Sequence, residues 1–378
     1  MQTTDVAILP SDVVRAARAR RTRLAAALTA ASVDAMLVDF PIDIRYLTGF
    51  IGDDSLLLVD GDGATILSDP RYDEYLEPWR AIDGLDVVMG VRHRLERSVG
   101  EGLRAGTRLG VQADHLTIAR REALAAALPG VELIPVFGVV ARLRMCKDEV
   151  EIAAIERAVA IQEAALEAAL ATIAPGTTEL GLAGRLEYEM KTRGAERSSF
   201  DPIVASGPSS SVIHYSTSAA PLGPGVLLID WGALAGGYCS DMTRTFCLGP
   251  VPAKVREIYE IVLEAHCAAI DACAPGRTCA EIDAVARDII TRAGYGEQFG
   301  HGLGHGLGMQ VHETPYFNDL ETETRLEPGM VMTVEPGIYV PGVGGVRIED
   351  DVLITDTSAR SLCHRAKDVD SMVIEARL

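Results

Sequence analysis

The chain has 378 residues, of which 48% are hydrophobic and 24% are charged. This is the composition of a folded globular protein, and the length exceeds that of one ordinary domain, so we expect two domains and no extended disorder. The formal net charge of -19 argues against nucleic acid and against an anionic membrane surface as binding partners.

The N-terminal segment and the cysteines both indicate a cytoplasmic protein. Five arginines between positions 15 and 23 precede a short apolar run, which we interpret as an amphipathic helix from Asp12 to about Ala31 and not as a signal peptide. No run reaches the roughly 18 apolar residues that a membrane span requires. The seven cysteines form no C-x-x-C pair, so we expect reduced thiols and neither a zinc ribbon nor a redox motif.

Strands and helices alternate through the first third of the chain. The pattern predicts strands at 33–38, 55–59, 65–67, 108–111 and 131–134, and helices at 71–80, 92–105 and 118–127. Alternation at this spacing indicates a small α/β domain, to which we assign residues 1–144.

Residues 145–378 are predicted to form an α+β domain with two similar halves. In each half, a pair of helices precedes a Pro-Gly turn, a short apolar strand, and an acidic residue that is followed by glycine two positions later. The two copies of this pattern lie at 224–232 and 328–337. This weak internal repeat would bring Asp230 and Glu335 to a shared centre.

Each half contains a predicted hairpin with a carboxylate on both strands. The first turns at an Ala-Gly-Gly sequence, which places Asp230 directly opposite Asp241, and the second turns at Pro-Gly-Val-Gly, which places Glu335 opposite Glu349. Any one of these acids alone would more often be a solvated surface charge. Four carboxylates buried together need cations, and two divalent ions would balance their charge.

Three of the eight histidines lie within twelve residues between the two hairpins, at His301, His305 and His312. Glycine occupies every second position from 302 to 308, which allows backbone and ligand to approach closely. A single histidine is more often a structural hydrogen-bonding residue, but imidazole is also the commonest metal ligand. Neither a Walker sequence, nor G-x-G-x-x-G, nor H-E-x-x-H occurs in this segment.

This constellation resembles the pita-bread metallopeptidases, a family that includes aminopeptidase P, prolidase and methionine aminopeptidase. The stretches that carry the resemblance are Tyr238–Thr245, Val334–Tyr339 and Val346–Asp351. The resemblance spans the second domain and implies a pita-bread fold with two pseudo-symmetric halves. It also implies two divalent metal ions, with Mn favoured over Co, Zn or Fe(II), held by Asp230, Asp241, His305, Glu335 and Glu349.

The first domain is similar to the creatinase-type N-terminal domain of the same family, through Ile44–Phe50 and Asp69–Tyr72. This domain, together with the Pro-Gly-Ile-Tyr sequence after Glu335, favours the Xaa-Pro branch, which contains aminopeptidase P and prolidase-like dipeptidases. Creatinase shares the fold but lacks the metal ligands. The resemblance further implies a homodimer that acts on Xaa-Pro dipeptides or on longer proline-containing peptides.

The resemblance also implies roles for residues around the metals. Glu335 would accept a proton from water, and His312 would donate to the developing oxyanion or to the leaving nitrogen. His214, His301 and His312 would line the substrate site, and Arg347 would bind a carboxylate of either the substrate or the metal set.

Two other functions remain open at this point. His214 follows Ser-Val-Ile and not the proline that is usual in the family. This departure leaves room for a hydrolase or lyase of the same fold that acts on a small non-peptide amide or amino-acid derivative. A catalytically inactive peptide-binding module is the third hypothesis, and the presence of all five ligand positions argues against it.

Overall fold

The computed structural model describes residues 10–61, 63–101 and 103–374. The chain divides into two compact units, Met1–Arg144 and Met145–Leu378. Within the described ranges, no helix combines the length and the apolar character needed to cross a bilayer.

The first unit is built on a six-stranded sheet with strand order β4-β3-β2-β1-β5-β6. The pairs β1–β2 and β2–β3 are antiparallel, and the other three pairs are parallel. Its strands are β1 (Ala35–Val38), β2 (Leu56–Asp60), β3 (Gly63–Ser68), β4 (Leu85–Met89), β5 (Arg108–Gln112) and β6 (Glu132–Val136). Its helices are α1 (Ser11–Ala30), α2 (Pro41–Thr48), α3 (Leu95–Glu101) and α4 (Ile118–Ala127), and α5 (Val139–Met145) ends at the boundary.

The predicted alternation in this unit is confirmed, with local corrections. The first helix and the helix at 118–127 are found, and the predicted strands are found within two residues of their bounds. The helix predicted at 71–80 is wrong: this stretch contains two short 3₁₀ segments, Pro70–Tyr72 and Glu77–Ala81. Pro78 accounts for the break, since a proline inside a helix removes a hydrogen bond and clashes with the preceding turn. The prediction did not include α2 or β4.

The second unit contains two pairs of helices, each followed by strands that pair mainly in antiparallel fashion. The helices are α6 (Glu149–Leu170), α7 (Glu179–Thr192), α8 (Ala253–Ala272) and α9 (Cys279–Arg292). The strands of the first half are β7 (Arg197–Ser198), β8 (Ile203–Ser206), β9 (Gly225–Trp231), β10 (Ala233–Ala235), β11 (Tyr238–Cys239) and β12 (Met242–Leu248). Those of the second half are β13 (Gly304–Gly306), β14 (Glu313–Phe317), β15 (Val331–Val334), β16 (Gly337–Val340), β17 (Gly344–Arg347), β18 (Asp350–Ile354), β19 (Ala359–Ser361) and β20 (Val373–Ile374).

The internal repeat predicted from the sequence is present as two similar halves. Helix α6 packs against α7, and α8 packs against α9. The second helix of each pair has a threonine as its N-cap residue, Thr178 or Thr278. The side chain of this threonine accepts a hydrogen bond from the backbone N–H three residues later. The halves then contribute the sheets β20-β12-β9-β8 and β14-β13-β15-β18-β19.

The register of the first hairpin differs from the predicted one by two residues. Strand β9 pairs with β12 so that Asp230 lies opposite Thr243, and the tight turn consists of Gly236 and Gly237, both with positive φ. The predicted pairing of Asp230 with Asp241 is therefore wrong, because the predicted turn included the preceding alanine. A shift of two residues keeps both carboxylates on the same face, where they are diagonal neighbours.

The second hairpin has the predicted register. The pairs β15–β18 and β16–β17 share one common alignment, in which Gly337 lies opposite Arg347. Continuing that alignment by two residues brings Glu335 opposite Glu349. This hairpin has a longer turn than the first, with Gly342 and Gly344 at positive φ, and its strands pair as predicted.

Candidate metal centre and active site

A cavity of about 350 Å³ lies within the second unit. Its apolar lining includes Phe200, Ile203, Ile213, Val311 and Phe317. It brings together every candidate site residue predicted from the sequence: Asp230, Asp241, His305, Glu335, Glu349, His214, His301, His312 and Arg347.

Two of the carboxylates in this cavity, Asp241 and Glu349, are buried, and Asp230 and Glu335 are partly buried. Asp241 is 4% exposed and Glu349 is 2% exposed. The Oδ1 atoms of Asp230 and Asp241 are buried and have no hydrogen-bond partner among the described residues. Burial raises the pKa of Asp241 and of Glu349 well above the ordinary carboxyl value, and the neighbouring carboxylates add to the rise. A group of acids in this state requires positive charge to remain ionised.

His305 presents one ring nitrogen to the carboxylates. Its Nε2 lies 3.4 Å from Oε1 of Glu335 and 3.8 Å from Oδ2 of Asp241. Its Nδ1 lies 3.1 Å from the carbonyl oxygen of Gly306, which suits the tautomer with the proton on Nδ1. Burial lowers the pKa of His305 to about 3, so the ring is neutral and able to bind a metal.

The donor set fits divalent cations. One ligand atom each from Asp241, His305 and Glu349 lie within 4.8 Å of one another. Asp230 and Glu335 line the same cavity, so four carboxylates and one neutral imidazole converge. Oxygen donors with a single imidazole suit Mn, Co, Zn or Fe(II), and the unpaired buried oxygens are the positions that such ions would satisfy.

Arg347 holds two of the carboxylates in place. Its side chain is buried, and its Nη2 donates to Oδ2 of Asp230 at 2.5 Å. Its Nε donates to Oγ1 of Thr243 at 2.9 Å, and that hydroxyl donates to Oε2 of Glu349 at 2.6 Å. The guanidinium thus contacts a carboxylate of the candidate metal set, which is one of the two alternatives predicted for it.

Tyr339 belongs to the same network, although the sequence reasoning assigned it no role. Its hydroxyl accepts from Nη1 of Arg347 at 2.9 Å and lies 2.9 Å from Nε2 of His301. Gly345 lies opposite Tyr339 in the β16–β17 pair, and a Cβ there would approach the tyrosine ring to 2.8 Å. A tyrosine opposite a glycine in the predicted hairpin was the sequence feature that could have indicated a role for Tyr339.

Three histidines besides His305 line the cavity, and they differ in exposure. His214 and His312 are exposed, whereas His301 is partly buried. The ring of His312 meets that of His305 edge to face, with centroids 4.3 Å apart. Burial lowers the pKa of His301 to about 4 and also lowers the pKa of His312. The exposed His214 and His312 are placed to contact a molecule in the cavity, whereas both ring nitrogens of His301 face protein oxygens, those of Gly302 and Tyr339.

The glycines around His305 are required by close backbone packing. A Cβ on Gly304 would lie 2.1 Å from the carbonyl oxygen of Thr333, and a Cβ on Gly302 would lie 2.6 Å from that of Phe317. The backbone N–H of His305 donates to Oγ1 of Thr333 at 3.0 Å. The strand that carries the imidazole therefore lies against its neighbours at a distance only glycine allows.

Comparison with known proteins identifies the family. Residues 153–356 match metallopeptidase family M24, and residues 20–146 match the creatinase/prolidase N-terminal domain. The chain is 38% identical over 341 residues to an Xaa-Pro dipeptidase from Pyrococcus furiosus, which covers 89% of this chain and 95% of the relative. The chain belongs to metallopeptidase family M24, whose members are metal-dependent.

Solved structures show the same similarity. An Xaa-Pro dipeptidase from Bacillus anthracis matches with a TM-score of 0.88 and 37% identity, covering 95% of this chain and 100% of that one. An X-Pro aminopeptidase from Thermotoga maritima matches with a TM-score of 0.82 and 33% identity, covering 91% and 98%. The predicted fold, a creatinase-type domain with a pita-bread catalytic domain, is confirmed, as is the predicted class of enzyme.

Proposed function

We propose that this metallopeptidase is an Xaa-Pro dipeptidase that hydrolyses the bond between an N-terminal residue and proline. The observation that carries the proposal is the convergence of four buried or partly buried carboxylates and a neutral imidazole on one cavity that is also lined by three further histidines. Two of its similar proteins with 37–38% identity are named Xaa-Pro dipeptidases, and one with 33% identity is named an X-Pro aminopeptidase.

The proposed metal ligands are the five residues predicted from the sequence, which would hold two divalent ions, with Mn the expected metal. Bound ions of this kind supply Lewis acidity, which makes water nucleophilic near neutral pH. Two observations support this assignment: the Oδ1 atoms of Asp230 and Asp241 have no hydrogen-bond partner among the described residues, and ligand atoms of Asp241, His305 and Glu349 lie within 4.8 Å of one another. The set comprises Asp230, Asp241, His305, Glu335 and Glu349.

Side chains of the protein would then transfer protons, stabilise the negative charge that develops on the substrate, and bind the substrate. Glu335 would accept the proton of the attacking water; its Oε1 already accepts a hydrogen bond from Thr333 at 3.2 Å, which orients the carboxyl group. His312 would donate a hydrogen bond to the oxygen that becomes negative, or a proton to the leaving nitrogen. His214 and His301 would hold the substrate.

The apolar lining of the cavity suits a proline ring. Proline has a fixed φ and no backbone N–H, so its peptides bind poorly to proteases that recognise an extended strand. A cavity with a mainly apolar wall and a few convergent polar groups can instead recognise the substrate by shape and by its charged ends. Phe200, Ile203 and Ile213 are the candidate contacts for the ring.

Three further assignments belong to this proposal. The creatinase-type domain would end near Arg144, as the division into compact units supports. The enzyme would be cytoplasmic, since all seven cysteines lie in the described ranges as free thiols. It would also be a homodimer, which light scattering of the purified protein would measure.

The test compares Ala-Pro with Ala-Pro-Ala as substrates for protein stripped by a chelator, with and without added Mn. Cleavage of Ala-Pro that returns with Mn supports the proposal, and Ala-Ala serves as the substrate control. Preference for Ala-Pro-Ala would identify an aminopeptidase instead. Absence of cleavage of either peptide by the metal-loaded protein would favour a hydrolase of the same fold that acts on a non-peptide amide.

A further inference from the structure

Glu179 is a buried carboxylate, 1% exposed, at the first position of α7. It accepts four hydrogen bonds. The backbone N–H of Ser206 donates to Oε1 at 2.9 Å, and the hydroxyl of Tyr215 donates to Oε2 at 2.8 Å. The backbone N–H and the hydroxyl of Ser218 also donate to Oε2, at 3.2 and 2.6 Å.

All four donors belong to the segment 206–218, which carries His214 into the cavity. The imidazole of His214 is exposed, and within the described part of the chain no hydrogen bond holds it. Its position is therefore set by the backbone on either side. Tyr215 is the next residue, so its bond to Glu179 acts one residue away from the imidazole.

We propose that Glu179 is a positioning residue that keeps His214 in the substrate cavity; this rests on the proposed peptidase function. A carboxylate is suited to the task because it accepts at both oxygens and donates at neither. Replacing it with glutamine would set an N–H₂ group against a backbone N–H of the segment, either that of Ser206 or that of Ser218. The buried donor left without an acceptor would then move away and displace the segment.

The second half of the domain contains a similar arrangement. Asp283 on α9 is 1% exposed and accepts from the backbone N–H of Leu303 at 3.0 Å. It also binds Arg287 through both oxygens, and Arg287 donates to the carbonyl oxygen of His301 at 2.8 Å. In each half, then, a buried acid on the second helix holds the backbone that presents a cavity histidine.

The test is a double-mutant cycle on Ala-Pro hydrolysis with saturating Mn, using Glu179→Gln, His214→Ala and the double variant. We expect Glu179→Gln to lower kcat/KM by about tenfold in the wild-type background and by less than about twofold once His214 is absent. An equal loss in both backgrounds would overturn the positioning role, since a general structural defect acts independently of the imidazole.

Two further variants keep the result interpretable. Glu189 is also buried on α7, but its ion pairs are with Arg185 of the same helix and with Arg193 directly after it, so Glu189→Gln should leave kcat/KM within about twofold. If Glu179→Gln does not fold, Tyr215→Phe removes only one donor and should lose about threefold, again only when His214 is present.

The outcomes separate this inference from the proposed function. A wild-type protein that cleaves no Xaa-Pro peptide would overturn the proposed function, and the role of Glu179 with it. A wild-type protein that cleaves Ala-Pro, combined with a loss in Glu179→Gln that persists after His214→Ala, would overturn the positioning role alone.

Discussion

The buried Arg347 and the partly buried Asp230 form an ion pair, with Nη2 of the arginine 2.5 Å from Oδ2 of the aspartate. Asp230 lies on β9 of the first half of the catalytic domain, and Arg347 lies on β17 of the second half. The pair therefore joins the two halves at the candidate metal centre. Breaking such a pair leaves an uncompensated charge in a site that excludes water.

The first prediction concerns this pair. Arg347→Lys keeps the charge, but one ammonium group cannot reach Asp230, Tyr339 and Thr243 together as the planar guanidinium does. We expect kcat/KM for Ala-Pro to fall by about tenfold or more, which is roughly 1.4 kcal/mol of transition-state stabilisation. Steady-state hydrolysis at saturating Mn measures it.

Arg360 provides a matched control. It pairs with Glu156 at 2.5 Å, but both side chains are close to half exposed. Exposed pairs contribute about 0–1 kcal/mol, so Arg360→Lys should leave both activity and stability nearly unchanged. Wild-type activity in Arg347→Lys would mean that the charge alone, without the geometry of the guanidinium, is enough.

The second prediction concerns Glu335. Glu335→Ala should abolish turnover, because it removes both a proposed metal ligand and the proposed proton acceptor, while circular dichroism and thermal melting should show a folded protein. The exposed Glu323 is the control, and Glu323→Ala should hydrolyse Ala-Pro at the wild-type rate. Near-normal activity in Glu335→Ala would remove Glu335 from the mechanism.

The four carboxylates of the candidate site could be located from the sequence because they lie in two hairpins, whose pairing has a regular period. Glu335 and Glu349 follow from a hairpin whose pairing continues on both sides of them. The pairing of Asp230 was wrong because the centre of the turn lies one residue later than predicted, which moves each paired partner by two residues. The error did not change the predicted set of site residues, because a shift of two residues keeps each side chain on the same face of the sheet.

The supporting contacts could not be predicted in the same way. Glu179 and the histidine that it is proposed to position are 35 positions apart, and only the folded chain brings the segment 206–218 onto α7. Thr243 and Tyr339 likewise act through partners on other strands. Sequence periodicity indicates which face of a strand is buried, but not which buried hydroxyl reaches which carboxylate.

The third prediction concerns how the candidate metal ligands make the stability of the protein depend on pH. In the metal-free protein, burial raises the pKa of Asp241 and Glu349 well above the ordinary value, and raises the pKa of Glu335 to about 7. The folded state then binds protons more tightly than the unfolded state. The resulting stability is fully present below about pH 4 and is lost as pH rises through the folded pKa values.

Urea unfolding of the chelator-stripped protein at pH 5 and pH 7.5, compared between the wild type and Glu349→Gln, measures the contribution of the carboxylates. The comparison is needed because burial lowers the pKa of His301 and His305, which acts in the opposite direction in both proteins. With saturating Mn the stabilisation of the wild type over its metal-free form should be larger at pH 7.5 than at pH 5, because metal binding requires deprotonated carboxylates and becomes tighter as pH rises. The change in the free energy of unfolding from pH 5 to pH 7.5 should be more favourable in metal-free Glu349→Gln than in the metal-free wild type, and the variant should lose the stabilisation by Mn. The same slope with and without Mn would show that these carboxylates do not bind the metal.

The fourth prediction concerns the backbone beneath His305. Gly304→Ala places a Cβ 2.1 Å from the carbonyl oxygen of Thr333, which is backbone of the neighbouring strand and cannot rotate away. Relief requires β13 and β15 to separate, at a cost of about 1–3 kcal/mol in the free energy of unfolding. The imidazole of His305 moves with β13, so the affinity for Mn should also fall.

Gly184 is the matched control for this substitution. It lies on α7, where an added Cβ meets nothing within 4 Å. Alanine is favoured over glycine inside a helix, so Gly184→Ala should raise the free energy of unfolding by about 0.5–1 kcal/mol and leave Mn affinity unchanged. Isothermal titration with Mn and urea unfolding of both variants measure the two effects. If Gly304→Ala binds Mn as tightly as the wild type, the close contact between β13 and β15 does not set the position of His305.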